Sequence, residues 1–228
     1  MLPTLETEIA LLEQGYRFVA GLDEAGRGAW AGPVVAAVVI LPLDRPDLST
    51  ILAGLNDSKQ LSPRARDEFY DLIRQTALAV GVGQTSAAGI DEVNVVEATR
   101  RAMQQALTGL SQTPDYLLLD HITLSRVKLP QLSFPKADCL SLTVAAASVI
   151  AKVTRDRQMV QLNTDYPGYA FDRHKGYGTA AHRLALHRHG PCPVHRLSYK
   201  PLKGFAEIGL KGLFRPDRFQ KPVRSSDG

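Results

Sequence analysis

The chain has 228 residues, 44% hydrophobic and 22% charged, a balance that suits one globular domain with a sizeable core and excludes a disordered chain. Its two cysteines, Cys139 and Cys192, are too few for a disulfide framework and form no CxxC pair, which fits a reducing, cytoplasmic setting. A formal charge of +4 and a pI near 9.1 are compatible with a polyanionic partner without naming one.

Residues 1–15 carry Glu6, Glu8 and Glu13 and lack a basic stretch followed by an apolar one, so no signal peptide is expected. No run of about 18 apolar residues exists to span a membrane. Residues 4–14 read as a short helix capped by Thr4, with Ile9, Leu11 and Leu12 on its apolar side. Residues 17–22 form a strand candidate, and a glycine-rich loop follows. Residues 33–41, rich in Val and Ala, predict a buried strand. Ser62 before Pro63 marks a helix start, with the helix running to about Ala77. A strand over 78–84, a helix over 90–110 and a short strand over 116–119 ending at Asp120 come next. Residues 142–162 predict a long alanine-rich helix, and Thr179 opens a last one to about His189. Strands mixed with helices of this length imply an α/β fold, a mixed sheet covered by helices. The polar stretch after Gly212 is expected to be a flexible tail.

Five stretches could carry chemistry. In Gly21-Leu22-Asp23-Glu24-Ala25-Gly26-Arg27-Gly28 two carboxylates end an apolar strand. Adjacent like charges call for a counterion, and hard oxygen ligands suit Mg²⁺ or Mn²⁺. Neighbouring side chains on a strand point opposite ways, so both reach one metal region only if the strand bends or two ions bind. Gly26 and Gly28 let the backbone at Arg27 approach a ligand. The spacing GxGxxxG is not a dinucleotide fingerprint, and no P-loop is present. Asp120 ends its strand as a candidate third ligand or a turn cap. On the long helix Ser148, Lys152 and Asp156 follow i, i+4, i+8 spacing and make one polar stripe with Arg155 between them, either a site wall or a solvated face. Asn56, Ser58 and Lys59 offer an amide, a hydroxyl and a cation to a phosphate, or a polar turn. Tyr177 stands between Gly176 and Gly178, to stack on a sugar or base or to plug the core. Between Arg173 and Lys203 no Asp or Glu occurs while Arg, Lys and His abound, and that block is the expected polyanion-facing surface.

Taken in order, the stretches GLDEAGRG with GPVVAAVVIL, NDSKQLSPRARDEFY, IDEVNVVEATRRAM, LLLDHI, AAASVIAKVTRDRQM and HKGYGT resemble the ribonuclease HII family from about Phe18 to Lys203. The resemblance implies an RNase H-like mixed β-sheet flanked by helices with a small helical C-terminal part. Residues 1–211 would be one catalytic domain, with 165–211 its helical part and 212–228 the tail. It implies an endoribonuclease that hydrolyses the RNA strand of RNA/DNA hybrids and cuts at ribonucleotides embedded in duplex DNA. Asp23, Glu24, Asp120 and Asp156 would be the catalytic carboxylates holding two Mn²⁺ or Mg²⁺ ions. Gly26, Arg27 and Gly28 would, with Tyr177, sense the ribose 2′-hydroxyl. Asn56, Ser58 and Lys59 would hold phosphate, with Ser148 and Lys152 beside the site. Gly89 stands where the family often has an acidic residue, and residues 133–142 match loosely. Ribonuclease HIII shares the carboxylates but normally has an extra N-terminal domain and lacks the GRG form; a non-catalytic hybrid-binding module is a further alternative. Residues 210–214, Leu-Lys-Gly-Leu-Phe, loosely resemble a sliding-clamp-binding peptide, against the plainer reading of an amphipathic chain end. A cytoplasmic monomer is expected.

Overall fold

A computed structural model describes residues 2–207. In chain order the helices and strands are α1 (Glu6–Glu13), β1 (Val19–Ala25), β2 (Val34–Ile40), α2 (Leu48–Ile51), α3 (Pro63–Thr76), β3 (Ala79–Thr85), α4 (Ala87–Val93), α5 (Val95–Thr108), β4 (Tyr116–Asp120), β5 (Gln131–Phe134), α6 (Ala137–Leu140), α7 (Leu142–Asp165), α8 (Phe171–His174), α9 (Ala180–His189) and α10 (Lys200–Glu207). The sheet order is β3-β2-β1-β4-β5. β1 pairs antiparallel with β2 and parallel with β4, so the sheet is mixed as expected. The expected tail and the segment 210–214 lie outside the described residues. No described helix is long and apolar enough to cross a membrane.

The centre of the sheet is buried on both faces. Every residue of β2 is buried, which explains its unbroken apolar sequence. On one face Ala20, Leu22, Val38, Ile40 and Leu119 pack with Ala102 and Met103 of α5. On the other, Ala37 and Val39 pack with Ala146, Val149 and Ile150 of α7. Glycine and alanine set the spacing: a Cβ on Gly21 would strike the α7 backbone at Thr143, and one on Gly83 would strike the carbonyl of Ala102. Small residues at these crossings bring α7 and α5 down onto the strands.

Three local expectations change. The helix expected over residues 90–110 is two, because Asn94 adopts φ 72°, ψ 164° and caps α5, its Oδ1 accepting from the N–H groups of Val96 and Glu97. That local hydrogen-bonding option is why asparagine breaks a helical run. β5 was not foreseen; it is a four-residue edge strand with no buried residue, so it has no apolar run to read. Thr4 stands one residue before the N-cap position, Leu5, and its Oγ1 accepts from Glu6 N–H at 3.4 Å. Thr4 bridges to Ser141, with Leu142 N–H donating to the Thr4 carbonyl at 2.9 Å. Ile9 is exposed, whereas Glu8 on the same helix is fully buried.

Glu8 ties α1 to the start of α7. Its Oε1 accepts from the Ser141 hydroxyl at 2.6 Å and from the Thr143 N–H at 2.9 Å. Ser141 in turn caps α7 by accepting from Val144 N–H. A carboxylate there complements the partial positive charge of a helix N-terminus. Replacing Glu8 with Ala strands a buried hydroxyl and N–H, and should lower the unfolding free energy by about 1–3 kcal/mol. A urea midpoint unchanged at constant slope would remove this role.

Candidate active site

The carboxylates sit where the sheet ends. The parallel register places Leu22 beside Leu119, so Asp23 and Asp120 follow as neighbours on adjacent strand ends. Asp23 lies opposite Ala37 and leaves the sheet on the α7 side; Glu24 lies opposite Ala36 and leaves on the other. Strand alternation thus divides the pair, while their position at the end of the sheet still lets their charges interact.

The electrostatics are those of acids crowded out of water. Asp23 is 5% exposed. Burial, then the charge of Glu24, holds its carboxyl well above the usual range, and a hydrogen bond from Ser148 only partly offsets this. Glu24 is raised by burial too; Arg27 opposes the shift and Asp120 adds to it. Arg27 Nη1 donates to Glu24 Oε1 at 3.1 Å, but Glu24 Oε2 is buried with no hydrogen-bond partner. An orphaned buried carboxylate oxygen beside a second carboxyl fits a hard divalent cation. Asp120 contributes next to them, its Oδ1 accepting from Ala137 N–H at 3.1 Å.

Lys59 brings a second cation into this group, from the loop before α3. Burial pulls its pKa down, and the charges of Asp57, Asp23, Asp138 and Asp120 outweigh that and raise it. It lies 3.6 Å from both Asp57 and Asp138. Ser58 Oγ meets Ser148 Oγ at 2.8 Å, which connects this loop to α7 beneath Asp23. Asn56 turns its Oδ1 onto Asp57 N–H at 2.9 Å. Asp57 and Asp138 were missed in the sequence. Asp57 stands inside the NDSK stretch, but nothing marks Asp138, which sits in the loosely matching region. With Cys139 they bring ligand atoms within 4.8 Å of one another, and Lys59 lies between the two carboxylates.

The polar stripe of α7 begins buried and ends at the rim. Ser148 is buried, whereas Lys152 and Asp156 are part-exposed and paired at 2.8 Å. Asp156 lies two turns, about 12 Å of helix rise, beyond Ser148. Its carboxylate is held by Lys152 rather than by the hydrogen bonds around Asp23. It lines a cleft with Lys152, Arg66, Arg173 and Lys175. The structure therefore gathers Asp23, Glu24 and Asp120, and leaves Asp156 on the neighbouring wall.

The two glycine motifs meet. Trp30 N–H donates to the Gly176 carbonyl at 2.8 Å, and a Cβ on Gly178 would collide with the Trp30 ring. Tyr177 is 37% exposed, so it is not a core plug. The Arg155 guanidinium lies 5.4 Å and the Lys152 ammonium 6.0 Å from its ring centre. Gly26 has φ 93°, and a Cβ there would run into Arg155 Nε. Gly28 faces open space, which leaves its backbone free to meet a ligand.

Two fully buried arginines hold this arrangement. Arg155 donates to the carbonyls of Pro33, Lys175 and Ala31 at 2.9, 3.0 and 3.1 Å. Arg196 donates to those of Gly32 and Arg27 at 3.0 and 2.9 Å, and the Tyr199 hydroxyl also donates to Arg27 O. Among the described residues neither has a carboxylate at salt-bridge distance. Burial pushes Arg155 down to about 10 and lowers Arg196 as well. This corrects the expected polyanion-facing block: His182, His195 and Arg196 are internal, and Arg173, Arg183, Arg188 and Lys203 remain on the surface.

Comparison with known proteins gives a consistent result. The family model described as Ribonuclease HII matches residues 20–202. A Ribonuclease HII from Geotalea uraniireducens is 50% identical over 201 residues, spanning 88% of this chain and 91% of that one. The crystal structure of ribonuclease H2 from Pyrococcus horikoshii superimposes with a TM-score of 0.69 at 27% identity, covering 83% of this chain and 97% of that one. The RNase HII of a PCNA complex from Archaeoglobus fulgidus gives 0.68 at 28% identity, covering 80% and 95%.

Lysine cannot reproduce the fork that serves three carbonyls. Arg155→Lys should lower the unfolding free energy by about 2–4 kcal/mol, because buried acceptors lose their donors. A change below about 0.5 kcal/mol in a denaturant titration would mean that the loop is held by other contacts.

Proposed function

Because this chain belongs to the ribonuclease HII family, we propose that it hydrolyses the RNA strand of RNA/DNA hybrids and cuts beside ribonucleotides embedded in duplex DNA. The observation that carries the reading is Glu24: a part-buried side chain whose Oε2 is buried with no partner, beside Asp23, under a loop whose Gly28 is open to a ligand.

Asp23, Glu24, Asp120 and Asp156 would hold two Mg²⁺ or Mn²⁺ ions. When bound, the ions supply an activated water and stabilise the leaving 3′-oxygen. Water oxygen bonds to phosphorus as the P–O3′ bond breaks, leaving 3′-hydroxyl and 5′-phosphate ends. Asp156 on its wall and Asp23 at the strand end would approach the phosphate from two sides. Lys59, Ser58 and Asn56 would hold a phosphate next to the carboxylates. Ser148 hydrogen-bonds Asp23 from below, and Lys152 holds Asp156 in place. The backbone at Gly26, Arg27 and Gly28 and the exposed Tyr177 would read the ribose 2′-hydroxyl, the group that separates RNA from DNA. The working form is proposed to be a cytoplasmic monomer.

A duplex with one embedded ribonucleotide should be cut at that position with Mg²⁺ or Mn²⁺, and not with EDTA or in an all-DNA control. Asp23→Asn should abolish cleavage and keep most of the hybrid binding. Tyr177→Ala should weaken junction cleavage more than cleavage of long hybrids. Full activity of Asp23→Asn would overturn the metal assignment, and an unchanged substrate ratio in Tyr177→Ala would overturn the sensing role.

The Archaeoglobus relative was solved with PCNA. For this chain the segment 210–214 is proposed as a weak clamp-binding peptide. A clamp pull-down with and without those residues should differ; equal recovery would leave an ordinary chain end.

A further inference from the structure

Behind Tyr177 lies a line of buried side chains that the nuclease chemistry does not use. His182 and His195 are 0% and 2% exposed. Their Nε2 atoms are 3.0 Å apart. His182 Nδ1 lies 3.0 Å from the Tyr177 carbonyl oxygen. His195 Nδ1 lies 2.9 Å from the Cys192 N–H. We propose that His195 and His182 form a directional hydrogen-bond chain that fixes the Tyr177 peptide, which makes them positioning residues for recognition of the ribose. The functional half rests on the reading of Tyr177 given above.

The direction follows from what each atom can do. A carbonyl only accepts, so His182 Nδ1 carries a proton and donates to Tyr177 O. In a neutral ring His182 Nε2 is then an acceptor, and His195 Nε2 must donate to it. His195 Nδ1 is left unprotonated, which is what the Cys192 N–H requires. The Cys192 carbonyl, 3.2 Å from that nitrogen, is already served by the His195 N–H at 2.9 Å. Burial supports neutral rings, pushing His182 down to about 4 and His195 to about 3. A second proton on either ring would set two donors against each other or strand one.

The surroundings leave the rings little freedom. His174 stacks on His182 with centroids 4.4 Å apart, Phe171 meets it edge-on at 5.7 Å, and Trp30 lies 5.6 Å away. His174 fixes the other side of the turn. Its Nδ1 accepts from Gly176 N–H at 3.2 Å, so its Nε2 donates to Tyr169 O at 2.7 Å. Tyr177 N–H donates to His174 O, and its carbonyl also accepts from Thr179 N–H at 2.8 Å. Both peptides around Tyr177 are thus pinned while its ring stays exposed. A core filler would need no polar atoms here; every ring nitrogen in this set has a partner, and the line ends at one carbonyl.

The test uses the full chain. Nitrogen-15 NMR should show His182 protonated at Nδ1, and His195 and His174 protonated at Nε2. His182→Asn places an amide nitrogen near the lost Nδ1, whereas His182→Gln places it near Nε2. The carbonyl carbon resonance of Tyr177 should move in His182→Gln and stay in His182→Asn. With Mg²⁺ and a duplex carrying one ribonucleotide, His182→Gln should lose about three- to tenfold in kcat/KM relative to long hybrid, the scale of one net hydrogen bond. His182→Asn should stay within about twofold of the parent ratio. A His182 protonated at Nε2 in the parent protein, or equal carbonyl shifts in the two variants, overturns the chain. If the tautomers and shifts hold while Tyr177→Ala leaves the substrate ratio unchanged, the sensing role fails and the chain stands.

Discussion

Arg155 and Arg196 are the constraint on which the site depends. Each is a charge taken wholly out of water, and each is compensated by backbone carbonyls instead of a carboxylate. A planar fork with five donors can serve several carbonyls that converge on one point. Residues 26–33 and the turn at 175–177 present such carbonyls. The loop after β1 has no regular hydrogen bonding of its own, so these guanidinium groups satisfy its buried acceptors. They add to the backbone bonds from Trp30 and Ala31 to Gly176 that join the two glycine motifs, far apart in the chain.

The acidic end of the sheet follows a different logic. Asp23, Glu24 and Asp120 are set side by side where alternation and register place them, and burial makes them unfavourable neighbours. Lys59 offsets part of that from one side, and Arg27 from another. The orphaned oxygen of Glu24 marks what remains uncompensated. The acidic cluster by itself is under electrostatic tension. The glycine loop thus rests chiefly on the arginines and the acidic cluster on the strand ends.

Much of this was legible in the sequence because it is local. The unbroken apolar run of β2, the Ser62-Pro63 start of α3 and the Thr179 cap of α9 each signal themselves within a few residues. Motif order identified the family. What stayed hidden depends on distant partners. Glu8 reads as a surface acid until Ser141 and Thr143 are beside it. His182, His195 and Arg196 read as surface basic groups, because composition cannot tell a solvated histidine from one bonded at both nitrogens. Asp138 acquires meaning only from Lys59. β5 has no core-facing side to betray it.

α7 has one more consequence. Near its start it packs against Gly21 at Thr143, then it supplies Ser148 beneath Asp23, Arg155 to the loop, and Asp156 to the far wall. All four duties are set by one helical pitch. Adding or deleting a single residue between Thr143 and Asp156 would turn everything beyond it by about 100° and shift it by about 1.5 Å. Descendants of this chain can therefore change side chains along that stretch one at a time, but they inherit its length as an indivisible measure.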